Sequence, residues 1–211
     1  MPPEKDSLPQ QNRCTTIERG VFFPARQRAM SSILTHPAPV IALGVALGLR
    51  RIPPRLFVLA LVFSLVPDFD AIGFRFGVSY ASWLGHRGFS HSLFFALFCG
   101  LFAAWIAPWL KASRLLSGTL IFLTVISHIV LDALTNGGLG VAALWPFSEV
   151  RYFFPWQPIQ VSPLNPKVFF MTQKGLRVVI SELCWVWLPL MLAAFAWRAS
   201  IRKKRASRQY R

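Results

Sequence analysis

Apolar residues in this chain gather into five long stretches, about 37 to 49, 52 to 66, 92 to 110, 116 to 134 and 176 to 197, with the polar residues gathered between them. Runs of this length and continuity predict helices that are apolar all round, the pattern of membrane helices rather than of striped surface helices. At a rise of about 1.5 Å per residue, the third, fourth and fifth stretches can cross a hydrocarbon core of roughly 30 Å. The first is marginal, and the second falls short unless it continues past Pro67. Pro37 and Pro39 suit the first turn of a helix with His36 just outside it, whereas Pro67 should bend or end the second helix at the Asp68-Phe69-Asp70 step. The expected fold is all-α: a polytopic membrane bundle of about five apolar helices, the second short or kinked, with one long loop near the interface.

Three regions follow from the same pattern. Residues 1–30 are polar and lack the continuous apolar stretch of a secretory leader. They read as a flexible or surface-lying segment, and the abrupt onset of hydrophobicity after Met30 makes Met30 a candidate for the true start. Residues 31–197 form the membrane-embedded domain, and residues 198–211 a basic tail.

Composition supports the membrane class: 54% of residues are hydrophobic, with 8 Trp and 19 Phe, too apolar for an ordinary soluble domain. The net charge of +15 would by itself allow a nucleic-acid partner. No zinc finger, helix-turn-helix or RNA-binding signature accompanies it, so topology explains the charge better and no nucleic acid is expected. The Arg50 to Arg55 connection, the Lys111 to Arg114 turn and the tail hold 12 of the 23 basic residues. With an odd number of crossings in all, and two between each of these segments and the next, all three fall on one side, which should be cytoplasmic. Cys14, Cys99 and Cys184 are odd in number and scattered, and read as packing residues.

The same alternation sends the chemistry to the other side. His36 starts the first helix, Asp68 and Asp70 end the second, His91 starts the third, His128 and Asp132 end the fourth, and Glu182 lies early in the fifth. Ionisable groups at such depth are costly and usually functional, and imidazoles with carboxylates are the ligand set of divalent metals such as zinc. In Ser127-His128-Ile129-Val130-Leu131-Asp132 the imidazole and carboxylate share a helix face. An Asp merely orienting a helix-end His is the plain alternative. Asp68 and Asp70 can point at one cation or form a helix-ending turn. His86-Arg87-Gly88-Phe89-Ser90-His91-Ser92 offers two nitrogen ligands, a guanidinium suited to phosphate, and Ser90 as a helix cap. Alone, His36 would be an interfacial histidine and Glu182 a helix-contact group; the joint pattern favours a shared site.

Ser32 to Pro37, Pro67-Asp68-Phe69-Asp70, His86-Arg87-Gly88 with His91-Ser92, Ser127-His128 with Asp132, and Thr135-Asn136-Gly137-Gly138 followed by Trp145-Pro146-Phe147 resemble the YdjM-like family of inner-membrane proteins, described as LexA-regulated, membrane-bound, predicted metal-dependent hydrolases. The resemblance runs from about residue 31 to 197 and implies a multi-helix inner-membrane protein with a metal site; it names no substrate. The order His, Asp, His, HxxxD and later Glu is also similar to zinc-dependent phospholipase C and the P1-type nucleases. That similarity implies His36, Asp68 or Asp70, His86 or His91, His128, Asp132 and Glu182 as ligands. The chain departs from it in lacking the C-terminal histidines of an HxxxE pair, so one or two ions, of zinc by preference, are expected rather than three.

The expected mechanism is metal-assisted hydrolysis, with Asp68 or Asp70 as general base and Arg87 neutralising developing negative charge. The aromatic-rich 135 to 175 loop, with Trp145, Phe147, Tyr152, Phe153, Phe154 and Trp156, places the reaction beside membrane lipid and makes an amphiphile such as a lipid phosphoester the expected substrate. The competing class is a transporter or structural factor using the same residues for a passing cation or for helix contacts. The largely Leu, Phe, Ala and Val helix middles favour an interfacial site over a conduit.

Overall fold

The computed structural model describes residues 29–30, 34–163 and 166–209. The expectations for residues 1–28, for Cys14 and for the Ser32-Ile33 pair lie outside them. Among the described residues the architecture is helical, apart from a two-residue antiparallel ladder between β1 (Ala29–Met30) and β2 (Ser162–Pro163). The helices are α1 (Ala38–Leu47), α2 (Pro54–Phe63), α3 (Leu93–Trp105), α4 (Ala107–Leu110), α5 (Arg114–Ala133), α6 (Pro166–Met171), α7 (Gln173–Glu182) and α8 (Leu188–Gln209).

Prolines and glycines punctuate these elements. Pro39 sits in the first turn of α1, where a missing N–H costs nothing, and Gly48 ends that helix at a φ of 85°. α2 loses its α-helical bonding after Phe63, and the chain continues as a 3-10 helix, Val66–Phe76, with Pro67 in its first turn. The run Pro54–Phe76 thus counts 23 residues, so the second stretch is longer than its apolar core suggested. The third stretch is shorter than expected. It breaks at Ile106 because Pro108 cannot donate into a continuing helix, leaving α3 at 13 residues and α4 at 4. Three helical runs are long and apolar enough to span a bilayer: Pro54–Phe76, Arg114–Ala133 and Gln173–Lys204. Helices α1 and α3 are shorter and apolar. The last run includes a π-helical turn, Leu183–Trp187, directly after Glu182. The run begins earlier than the sequence suggested, so Glu182 is the last residue of α7 rather than part of a second turn.

The core lies between α1, α2, α3 and α5, where Val40, Leu56, Ala60, Ala96, Ala103, Ile121 and Val125 are buried. α3 and α5 approach closely: a Cβ placed on Gly100 would lie 3.0 Å from the Gly118 carbonyl oxygen, and one on Gly118 would lie 3.2 Å from that of Gly100. Small residues permit such contact where lipid supplies no hydrophobic drive between helices. The outward faces carry Phe98, Leu101, Trp105, Leu115, Leu123, Leu192 and Phe195, all exposed. A water-soluble domain would present this as a large apolar patch, whereas for a membrane bundle it is the lipid-facing surface.

Contacts between distant segments establish the two ends. Arg55 donates to the Trp109 carbonyl at 2.8 Å and stacks over that indole, joining the first turn of α2 to α4. Arg198 donates to the Val45 carbonyl at 3.1 Å, bringing the start of the basic tail to the same end. Along α5, His128 and Asp132 stand about 21 and 27 Å from Arg114, at the opposite end.

Candidate metal centre

Four separate segments deliver side chains to that opposite end. His36 lies in the turn just before α1, Asp68 and Asp70 in the 3-10 helix after α2, His86, Arg87 and His91 in the loop before α3, and His128 with Asp132 on one face of α5. His36, His86, Arg87, His91, His128 and Asp132 are fully buried, and Asp68 nearly so. Ligand atoms of His36, Asp68, His128 and Asp132 all lie within 4.8 Å of one another, as do those of Asp68, His86 and His91. Asp68 belongs to both groups.

The pair distances are those of groups facing a common point. His36 Nε2 lies 3.5 Å from Asp68 Oδ2 and 3.8 Å from Asp132 Oδ1, and His128 Nε2 lies 3.6 Å from Asp68 Oδ1 and 3.7 Å from Asp132 Oδ2. Two ligands on one tetrahedral zinc, each about 2.0 to 2.1 Å from the ion, stand about 3.3 Å apart, so small inward movements would seat a cation. His91 Nε2 is nearer, at 2.8 Å from Asp132 Oδ2 and 3.1 Å from His128 Nε2. Neither Asp68 oxygen has a hydrogen-bond partner among the described residues. For a buried carboxylate that is the expensive arrangement a cation would relieve.

The far nitrogens of three imidazoles are held by acceptors. His128 Nδ1 donates to the Ser64 carbonyl at 2.7 Å, and His86 Nδ1 donates to Asp70 Oδ1 at 2.6 Å. His91 Nδ1 lies 3.2 Å from Asp70 Oδ2 and 3.0 Å from Ser90 Oγ. Fixing Nδ1 in this way orients the ring and commits Nε2 to the interior, the usual support of metal-bound histidine. Asp70 also accepts from Ser90 Oγ at 2.5 Å and from the Arg87 backbone N–H at 3.1 Å. It is therefore a positioning carboxylate, engaged on every side.

Ser90 does not cap α3. A 3-10 turn, Phe89–His91, intervenes, and Ser92 Oγ accepts from the Phe95 N–H as the cap. Arg87 adopts a left-handed backbone with φ 63° and spreads its guanidinium between Gly137 O at 2.9 Å and Asp132 Oδ1 at 3.0 Å. The glycine-rich loop makes room for it, since a Cβ on Gly138 would meet Tyr80 Oη at 2.6 Å and Arg87 Nη1 at 3.1 Å. Arg151, from the aromatic loop, grips the carbonyls of His86, Tyr80 and Ser82. Burial pushes the Tyr80 phenol up, keeping it protonated, and pulls the Arg151 guanidinium down. Neither Tyr80 nor Arg151 belongs to a motif that sequence reasoning singled out; their signal is a contact made only in three dimensions.

Glu182 is buried at the end of α7 but belongs to neither ligand group. Within the aromatic loop Phe147 is 90% exposed, and Trp145 stacks on Trp83 at 5.6 Å between centroids, the arrangement of an interfacial anchor.

No solved structure matches the chain. The Escherichia coli (strain K12) protein described as inner membrane protein YbcI is 41% identical over 172 residues, which cover 80% of this chain and 99% of that protein. The sequence model described as YdjM inner membrane protein matches residues 30–205, which takes in α1 to α7, most of α8 and all of the clustered histidines and carboxylates. The chain belongs to the YdjM inner membrane protein family.

Proposed function

We propose that the protein is a metal-dependent hydrolase of the inner membrane acting on an amphiphilic phosphoester at the bilayer surface opposite the basic tail. The observation that carries this reading is the orientation of the imidazoles: His86, His91 and His128 each have Nδ1 against an acceptor, which turns Nε2 toward the interior of the cluster that His36, Asp68 and Asp132 share.

His36, His128 and Asp132 would hold one divalent ion, zinc by ligand preference, and His86 with His91 a second, with Asp68 between them. Such an ion supplies an acidified water and polarises a phosphoryl oxygen. The residues of the chain do the rest. Asp70 holds two imidazoles in register. Asp68, with oxygens unused by other donors, is the carboxylate able both to ligate and to accept a proton from the attacking water. Arg87 acts through Asp132, pairing with that carboxylate and aiming it; it is a positioning residue rather than a direct partner of substrate. The stacked Trp83 and Trp145 and the exposed Phe147 suit an amphiphile approaching from lipid.

Metal content of the purified protein and of His128→Ala/Asp132→Ala tests the reading, followed by a turnover screen of both against phospholipid phosphoesters. Stoichiometric metal and turnover in the parent, both lost in the variant, are expected. Equal and negligible metal in both would return the cluster to a structural role. Metal without turnover would favour binding or transport.

A further inference from the structure

At the end of the bundle opposite the His/Asp cluster, a cavity of about 400 Å³ opens between the C-terminus of α1 and the middle of α8. Arg51, Arg198 and Arg202 line it together with Leu47, Leu49 and Ile201. Arg198 is tethered through Nη1 to the Val45 carbonyl, which fixes its guanidinium at the cavity edge and leaves the remaining N–H groups for another acceptor. Arg202 follows four residues later on the same face of α8. Among the described residues no carboxylate lines the cavity. The acidic residues of the described chain lie in other elements: Asp68, Asp70 and Asp132 in the cluster, Glu149 in the aromatic loop, and Glu182 in α7. Three cations on one lining, with no acidic side chain of the described residues beside them, give the hollow a positive field that favours an anion.

We propose that this cavity seats the phosphate of an anionic phospholipid. The apolar half of the lining selects a lipid over a free anion. Leu47, Leu49 and Ile201 would meet the glycerol and first methylenes while the guanidiniums bind the phosphodiester in fork geometry. Simple topological charge bias asks only for cations somewhere on this side, not for one tied to a helix carbonyl beside a leucine-lined hollow. The site is independent of the proposed hydrolysis.

The test uses the full-length protein in detergent, incubated with equal amounts of dioleoylphosphatidylglycerol and dioleoylphosphatidylcholine, with retained lipid counted by native mass spectrometry. Preferential retention of the glycerol lipid is expected. In Arg198→Gln/Arg202→Gln that preference should fall roughly 25-fold, taking about fivefold for each cation near the lipid surface. Lys203→Gln/Lys204→Gln, which removes the same charge beside the cavity, should keep it. If the first variant loses its helical circular dichroism, Arg202→Gln alone carries the test at roughly fivefold. Equal retention of both lipids by the parent, equal loss in the two double variants, or displacement of the lipid by millimolar inorganic phosphate would each overturn the proposal.

Discussion

Replacing Asp70 by Asn separates a positioning carboxylate from a ligand. Asp70 accepts from His86 Nδ1 at 2.6 Å, from Ser90 Oγ at 2.5 Å and from the Arg87 N–H at 3.1 Å, and lies 3.2 Å from His91 Nδ1. Asn keeps the volume and one acceptor oxygen, but turns a donor NH₂ toward groups that also donate. At least one imidazole then loses its anchor while all ligand atoms of the His36, Asp68, His128 and Asp132 group remain. Loss of such a supporting group costs 10- to 100-fold in metal affinity, or about 1.4 to 2.7 kcal/mol. Asp68→Asn alters the carboxylate common to both candidate groups and should cost well beyond that range. The assay is a titration of zinc against a fluorescent chelator with parent, Asp70→Asn and Asp68→Asn proteins in detergent. An Asp70→Asn loss as large as that of Asp68→Asn would refute the positioning role, and an unchanged affinity would show that the imidazoles are not held through Nδ1.

Three further outcomes follow from the same contacts. In Arg87→Lys a single ammonium cannot span Gly137 O and Asp132 Oδ1 together, so a buried carboxylate is left poorly paired, and detergent thermal unfolding should show a loss of about 3 kcal/mol or more. Gly138→Ala should cost about 1 to 2 kcal/mol for the left-handed backbone, with a further loss because the new methyl would sit 2.6 Å from Tyr80 Oη. Unfolding midpoints check it, and a neutral result would show that the loop repacks freely. Arg151→Ala removes three hydrogen bonds to the carbonyls of Tyr80, Ser82 and His86, so hydrogen exchange should speed up across residues 80–88 while α5 stays protected.

The ordering of the chemistry was legible in the sequence because helix ends alternate between two membrane faces. Knowing the stretches is enough to send His36, Asp68, His91, His128 and Asp132 to one end. What they do there was less legible. Asp68 and Asp70 are two residues apart and chemically identical, yet one faces the cluster and the other backs two histidines; the 3-10 path after Pro67 decides between them, and it leaves no periodic signature. The acceptor for His128 is the backbone carbonyl of Ser64, released because α2 ends at Phe63, and a main-chain group has no residue code. Arg87 looked like a substrate contact on charge alone, whereas its burial and its fork to Asp132 arise from a glycine-rich loop 50 residues later. The break of the third stretch at Ile106 was written in Pro108, which counted for less than the apolar run around it.

The glycine contact between α3 and α5 fixes more than the packing of two helices. His91 precedes one of these helices and His128 rides on the other, each about 15 Å along its axis from the point where Gly100 meets Gly118. The two rods behave as the arms of tongs with a pivot in hydrocarbon and tips at the headgroups. A bulky side chain at the pivot would open the tips with no change in any residue near them. The spacing of the imidazoles therefore depends on two positions far down the helices whose only chemical content is the lack of a side chain.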